Sequence, residues 1–499
     1  MKKYLFGADL GTGGVKAVLL DPETGETVGS DLFEYEMKHP HPLWAEQDPE
    51  DWWAMFCAAS RQVLARAGEC EIIAAALSSQ GCATVCVGAD GRAIGNAFTW
   101  MDGRTGEEAA WLRDHFAEEI AQVNANEIST LLSTPNFLWL KKHDKPRFDR
   151  SSGFCGVMSY VGLRLTGRFA VPPSEATFCH LYDYKTHQYS HKLCSLLEIP
   201  YEKLPEAVSS TSLMGHVTAQ AARECGLPAD TPVAGGSHDN TAAALGMGVY
   251  QPGQVFFSMG TAGNMGVIMD RPREDGCLLT QACLFPGTWL MLATMGNNGA
   301  CLKWLRENVL TDASGTKLCY GTLNAYAQAS PAGSRGVLFL PYLAGELSPL
   351  WDEKARACFI GMTSRTTKED LARAVMEGVC FAVRHNLTMY ERAGCAVEGL
   401  RVAGGPTESA VWMQTLADVT GREVSVPDVT NAGPVGDAVL AGAAAGCYPD
   451  VSGVLERAVR TRAQYTPNAQ NREVYDRLFA LYLGLYPKLK NEFSALSSF

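Results

Sequence analysis

Two Gly-Thr turns and one isolated carboxylate are the residues in this chain best suited to chemistry. The first turn is Asp9-Leu10-Gly11-Thr12-Gly13-Gly14, set between the apolar runs Tyr4–Phe6 and Val15–Leu20. The second, Ser258-Met259-Gly260-Thr261-Ala262-Gly263, follows the apolar run Val255–Phe257. Between them lies Gly235-Gly236-Ser237-His238-Asp239-Asn240. A glycine turn joining two strands can leave backbone N–H groups facing a concave nest, which binds phosphate oxygens. The threonines add hydroxyl donors. Each turn alone is equally a plain hairpin, because glycine is the default residue of tight turns. As a pair in matching contexts, they suggest a duplicated fold gripping a nucleoside triphosphate. Asp9 would then help hold Mg²⁺, and Asp239 would take a proton from the group receiving the phosphoryl.

The elements around these residues follow from local pattern. The first twenty residues read as two strands joined by the Asp9–Gly14 turn, and a third strand is expected after Asp21–Gly25. A helix should begin with Asp48 as N-cap, Pro49 at the first helical position and Asp51 at the third. Trp52, Trp53, Phe56, Ala59, Val63 and Leu64 then form an apolar stripe at helical spacing, read as core. A buried strand, Ile72–Leu77, runs into Ser78-Ser79-Gln80-Gly81, and Thr84–Val87 with the Ala89–Arg92 turn reads as a hairpin. The stretch 125–230 looks mostly helical, with proline breaks. A helix over Asn240–Met247 precedes the expected boundary near Tyr250–Gly253. Further on, Thr367 caps a long helix through Arg392. Val402–Pro406 is a strand entering a glycine turn, followed by a helix over Glu408–Thr420. Backbone at Gly404 and Gly405 can approach a flat ring closely; the alternative is an ordinary strand-to-helix turn. No Gly-x-Gly-x-x-Gly follows the first strand, and no P-loop is present, so a nucleotide site must be built differently.

At 499 residues the chain is expected to form two large domains, 1–248 and 249–499. Its 46% apolar and 19% charged content fit a soluble globular protein. A net charge of −12 argues against nucleic acid or an anionic membrane as partner. The 16 cysteines are scattered, without a Cys-x-x-Cys pair, as in a reduced cytosol. Met1-Lys2-Lys3 opens like a signal peptide, but Asp9 interrupts the apolar stretch, so a cytoplasmic location is expected.

These features together resemble the FGGY family of carbohydrate kinases, within the actin-like ATPase superfamily. The resemblance runs in order through Asp9–Lys16, Trp44–Pro49, Trp100-Met101-Asp102-Gly103-Arg104, Gly236–Asn240 and Gly260-Thr261. It continues through Pro341–Glu346 with Ser348-Pro349, the stretch Ala357–Glu377, and the Gly404 turn. Asn136 stands where the family usually has a lysine, and Pro406 where a third glycine is usual.

The resemblance implies an α/β fold of two actin-like (ribonuclease H-like) ATPase domains with a central cleft. Sugar would bind mainly on the first domain and ATP mainly on the second. Asp239 matches the catalytic base, removing a proton from the hydroxyl that attacks the γ-phosphorus. Asp9, with Asp239, would face Mg²⁺, while Thr12, Gly13, Gly260 and Thr261 would hold phosphoryl oxygens. Gly404 and Gly405 resemble the adenosine-side turn. Gln80, Trp100, Asp102, Asp239 and Asn240 would contact the acceptor. Asp102 has a second reading, as an ion-pair partner of Arg104 or a helix cap.

Acceptor identity is less determined. Glycerol kinases carry Arg-Glu after the glutamine, and xylulokinases usually Met-His; this chain has Gly81-Cys82. Trp100-x-Asp102-Gly103-Arg104 and Asp239-Asn240 look most like the xylulokinase branch, which implies a ketopentose such as xylulose. Another ketose, polyol or sugar-like metabolite is the alternative. Two non-kinase readings remain: an actin-like ATPase, expected to carry a partner-binding domain after Phe499, and a sugar sensor, expected to carry a basic module before Asp9. The sequence leaves a homodimer open and assigns no role to His238 or Cys82.

Overall fold

The computed structural model describes residues 1–124, 126–272, 278–311, 315 and 317–497. Residue 125, where the middle segment begins, lies outside that set, as do 498–499. The chain packs as two compact units. One comprises Met1–Tyr250, Met269–Leu290 and Val429–Arg460; the other comprises Gln251–Ile268, Met291–Asp428 and Thr461–Phe499. The first segment thus ends two residues beyond the expected 248, and two later segments return to the first unit.

The first unit is built on a mixed sheet whose central strand is Lys2–Leu10. That strand pairs antiparallel with Gly14–Leu20 and parallel with Cys70–Ser79. Beyond their first residues the three strands are mostly buried, because helices cover the sheet. The expected third strand is Thr27–Gly29. The helix Pro49–Ala67 begins as read: the Asp48 carboxylate accepts the Glu50 N–H, and Trp52, Trp53 and Phe56 are buried. Strand Val85–Val87 pairs on one side with Gly153–Cys155, and the expected hairpin closes on the other: Val87 bridges Ala93, Ile94 N–H donates to the Cys86 carbonyl, and Thr84 bridges Phe98.

A helix from far along the sequence, Ala432–Ala444, also belongs to this unit. It lies against the central strand so closely that a Cβ on Gly7 would fall 2.0 Å from the Pro434 carbonyl. It packs equally tightly on helix Asp239–Gly246, where a Cβ on Gly246 would meet the Ala432 carbonyl at 1.7 Å. Glycine at these positions is what lets the backbones touch. The segment around Thr280 is tied in by a two-way amide bond: Asn126 Nδ2 donates to the Thr280 carbonyl and Thr280 N–H to Asn126 Oδ1, each at 2.8 Å.

The second unit repeats the plan. Val255–Met259 pairs antiparallel with Gly263–Met269 and parallel with Gly399–Ala403. Glu423–Pro427 and Thr461–Tyr465 extend the same sheet. Helix Lys368–Arg392 starts with the expected capping box between Thr367 and Asp370. The family-like stretch Ala357–Glu377 is structural in this unit. Glu377 accepts from Arg373 Nε, Tyr475 Oη, Ser334 Oγ and the Gly333 N–H, forming a buried, fully partnered ion pair. The expected helix at Glu408 divides into a single turn, Gly405–Glu408, and helix Ala410–Thr420 capped by Ser409. Among the described residues no helix is long and apolar enough to cross a membrane.

Candidate active site

Strand register brings the first unit's polar residues together. Asp9 sits at the end of the central strand, opposite Lys16 on one side and Ser78 on the other. Ser237-His238 adds to the far side of strand Cys70–Ser79, with Ser237 opposite Ser78 and His238 opposite Ser79. Helix Asp239–Gly246 starts immediately afterwards, so Asp239 occupies its first turn, where free N–H groups favour a carboxylate. Its Oδ1 accepts from Asn240 Nδ2 at 2.9 Å. About a third of the Asp239 side chain (34%) remains accessible, unlike its neighbour His238 at 6%.

Burial dominates the electrostatics here. It pushes the Asp9 carboxyl up to about 7, with the nearby Asp239 charge adding to the rise and Lys16 and Ser78 opposing it. Asp239 is also pushed up to about 7 by burial, opposed only by the Asn240 backbone. Burial holds His238 down at about 3, so its ring is neutral.

The Gly11–Gly13 turn is held by Gly11 N–H to the Gly14 carbonyl at 3.0 Å. A Cβ on Gly13 would meet no protein atom within 4 Å, which leaves the backbone open to a ligand. Trp100 Nε1 donates to Thr12 Oγ1 at 3.0 Å, tying that tryptophan to the turn. Gln47, which sequence reasoning did not single out as a site residue, connects the turn to Gln80. Its Nε2 donates to the Thr12 carbonyl at 2.8 Å, and its Oε1 accepts from Gln80 Nε2 at 2.7 Å. Gln80 is buried, and its own Oε1 has no partner. A buried, unpaired amide oxygen is costly and points to an absent donor.

Asp102 is engaged otherwise than as an acceptor contact. Both of its oxygens accept from Arg104, and Oδ2 also takes the Ala45 N–H at 2.8 Å. Its side chain is fully enclosed, and Arg104 stacks over Trp44 and Phe98. The second reading of Asp102, as an ion-pair partner, describes its surroundings. Asp437 was also missed: buried on helix Ala432–Ala444, it accepts from Ser78 Oγ at 2.6 Å and Ser237 Oγ at 3.1 Å. No local signal marks it, because its partners lie far away in sequence.

In the second unit, the Gly260-Thr261 turn caps helix Gly299–Asn308. Its carbonyls accept the N–H groups of Asn298, Gly299 and Ala300 at 3.0, 2.9 and 3.1 Å. The Gly404 turn packs beside it: φ is +113°, and a Cβ there would fall 2.1 Å from the Met259 carbonyl. Only glycine fits. At Gly405, in contrast, a Cβ would meet nothing within 4 Å. Gly260, Thr261 and Gly405 line one cavity of about 540 Å³, together with Lys303, Tyr320, Asn324, Pro406 and Ser409. Lys303, Tyr320 and Asn324 were not foreseen: they come from helices Gly299–Asn308 and Tyr320–Ala329, where no motif marks them.

The family's description covers both halves. The model of the FGGY family of carbohydrate kinases, N-terminal domain, matches residues 4–246, and that of the C-terminal domain matches 255–445. The chain belongs to the FGGY family of carbohydrate kinases. This FGGY kinase is 28% identical to the xylulose kinase of Bacillus subtilis (strain 168), across 100% of this chain and 99% of that one. It is also 25% identical to the gluconokinase of the same organism, across 100% and 98%. The crystal structure of xylulose kinase from Rhodospirillum rubrum superposes with a TM-score of 0.89 at 29% identity, covering 98% of this chain and 99% of that one. The protein is therefore a carbohydrate kinase, an enzyme whose family uses ATP, and its α/β architecture with a sheet in each unit is that of FGGY kinases.

Proposed function

We propose that this FGGY kinase transfers the γ-phosphoryl group of ATP to a hydroxyl of a neutral ketose, with a ketopentose such as xylulose as the leading acceptor. The observation that carries the reading is Asp239: a partly open carboxylate at a helix N-terminus, following a strand that pairs with the one leading to Gln80, whose buried amide oxygen lacks a donor. Asp239 takes the hydroxyl proton as the new O–P bond forms, and the bond from γ-phosphorus to the bridging oxygen breaks to release ADP. An acceptor hydroxyl donating to Gln80 Oε1 removes its desolvation penalty. Trp100 and Asn240 complete the acceptor contacts, and Asp102 acts through Arg104 to fix the Trp100 loop. Thr12, Gly13, Gly260 and Thr261 hold phosphoryl oxygens. Gly404 and Gly405 border the adenosine, a role that the open space above Gly405 supports.

Mg²⁺ fits the donor set. The Asp239 charge adds to the proton affinity that burial gives Asp9, a situation a cation between them relieves, and Mg²⁺ keeps several waters and needs only one or two carboxylates. Among the described residues no group of three or more His, Cys, Asp or Glu is placed to hold a metal, which accords with a nucleotide-borne ion. When bound, it would neutralise charge on the phosphates.

A neutral acceptor is favoured over a sugar acid by the charges around Asp239. No cation is among the groups that set its proton affinity, and the charges that act on the nearby Cys82, those of Asp239 and Glu175, both belong to carboxyl groups. A carboxylate acceptor would enter this site unpaired. We assign acceptor recognition to 1–248 and nucleotide recognition to 249–499, in a cytoplasmic enzyme acting on small molecules.

The test is ADP release with MgATP against pentuloses, hexuloses, pentitols, glycerol and sugar acids. A pentulose is expected to give the highest kcat/KM. Gluconate as the best acceptor would overturn the neutral-ketose reading.

A further inference from the structure

Gly81 is not glycine for the sake of its backbone, because its φ lies outside the left-handed range. It is glycine because a Cβ there would fall 2.3 Å from His238 Nε2 and 2.5 Å from His238 Cδ2. The imidazole occupies the space that any side chain at 81 would need. It is clamped from other directions too. Phe178 lies against the ring at 4.9 Å between centroids, and the backbone N–H of His238 is fixed by donating to Ser174 Oγ at 3.1 Å.

The ring's polar contacts run through one nitrogen. Nδ1 accepts the Asn240 N–H at 3.3 Å and faces Asp239 Oδ1 at 3.1 Å. With Nδ1 taking that amide proton, the ring proton sits on Nε2. Nε2 therefore presents an N–H above Gly81, and the residue before Gly81 in the chain is Gln80, whose Oε1 is a buried acceptor without a donor. A hydroxyl is the group that satisfies both, since it donates to one partner and accepts from the other. A carbonyl satisfies only the histidine, and a C–H neither.

We propose that His238, admitted by Gly81, is a specificity-determining residue: its Nε2–H and Gln80 Oε1 together bind a hydroxyl on the carbon next to the one phosphorylated. The vicinal position is part of the proposal: the base Asp239 is the next residue, and its Oδ1 lies 3.1 Å from Nδ1 of the same ring. The acceptor class is a vicinal diol segment of a neutral sugar or polyol. This inference rests on the kinase reading of Asp239 given above.

The experiment compares D-xylulose with its analogue deoxygenated next to the phosphorylated carbon, in the wild type, His238→Phe and His238→Asn. Phenylalanine keeps the wedge over Gly81 without the N–H; asparagine keeps a capping acceptor without the reach. In the wild type the analogue is expected to raise KM about tenfold or more. In both variants KM for D-xylulose should rise similarly, the two acceptors should differ by less than about twofold, and KM for ATP should stay the same. Should His238→Phe keep the wild-type preference, His238 only fills space and the proposal is overturned. Gly81→Ala supplies a second arm: it should weaken acceptor binding in the wild type but not further in His238→Ala. Additive effects would contradict the wedge. If the wild type releases no ADP with D-xylulose, the ketopentose reading fails instead, and the same variants are measured on the acceptor the panel identifies.

Discussion

Ser78 Oγ lies 2.6 Å from Asp437 Oδ2, although 359 positions separate the two residues. The same hydroxyl is 3.1 Å from Asp9 Oδ1, and the other Asp437 oxygen takes Ser237 Oγ. Asp437 therefore ties the ends of the two strands that lead to Gln80 and Asp239. A hydroxyl has one proton, so Ser78 cannot donate fully to both carboxylates; burial and the Asp9 charge accordingly hold the Asp437 carboxyl well above its usual range. Asp437→Ala leaves the buried Ser237 hydroxyl without its partner and Ser78 with Asp9 alone, and should destabilise the protein by about 1–3 kcal/mol, with kcat reduced. Asp437→Asn should be milder on both counts. Urea unfolding and ADP release check this; an alanine variant with wild-type kcat would show that the tether does not position the site.

Asp239→Asn keeps the shape of the side chain and removes the base. Turnover should fall about 10²–10⁴-fold, while ATP affinity measured by calorimetry stays within a few-fold of wild type. Near-normal acceptor-dependent turnover would remove Asp239 from the mechanism.

The pH profile follows from the same carboxylate. An acid pushed up to about 7 is protonated, and useless as a base, below that value. At low Mg²⁺, kcat/KM for the acceptor should thus climb as pH rises through about 7. Asp9 titrates in the same range, so the limb belongs to the pair. Raising Mg²⁺ should move the limb to lower pH, since a cation favours both ionised forms. A profile unaffected by Mg²⁺ would separate these carboxylates from the metal.

Glu175 offers a stability test away from the chemistry. It is buried, Oε1 has no partner, and burial raises its carboxyl to about 8 from an unfolded value near 4.5. Between those values the native state holds a proton that the unfolded chain has lost, so native stability falls as pH rises through the window. The contribution is complete below about 4.5 and gone above about 8. Glu175→Gln should flatten this part of the slope, read from urea midpoints between pH 5 and 8. An unchanged slope would mean that Glu175 is ionised in the folded protein.

Gly405→Ala tests the nucleotide cavity. The added methyl touches no protein atom within 4 Å, so thermal stability should barely change. The methyl intrudes only on what enters the cavity, and KM for ATP should rise while KM for the acceptor holds. An unchanged ATP KM would place the adenosine elsewhere.

Sequence alone determined what depends on neighbouring residues. The Asp48 and Thr367 helix starts, the strand–turn–strand units at Gly11 and Gly260, and the glycine turn at Gly404 are short-range matters of caps, φ and alternation, and all stand as read. The order of motifs sufficed for the family. Contacts between distant segments decided the rest. Asp437 reaches Ser78 only because helix Ala432–Ala444 returns to the first sheet, and Asp102 is enclosed because Arg104 and Ala45 close over it. Nothing in the sequence around Gly81 says why it is glycine; the reason is the imidazole of His238, which occupies the space beside it. Local rules describe backbone preference; which side chains share a few cubic ångströms is set by how the chain folds back on itself.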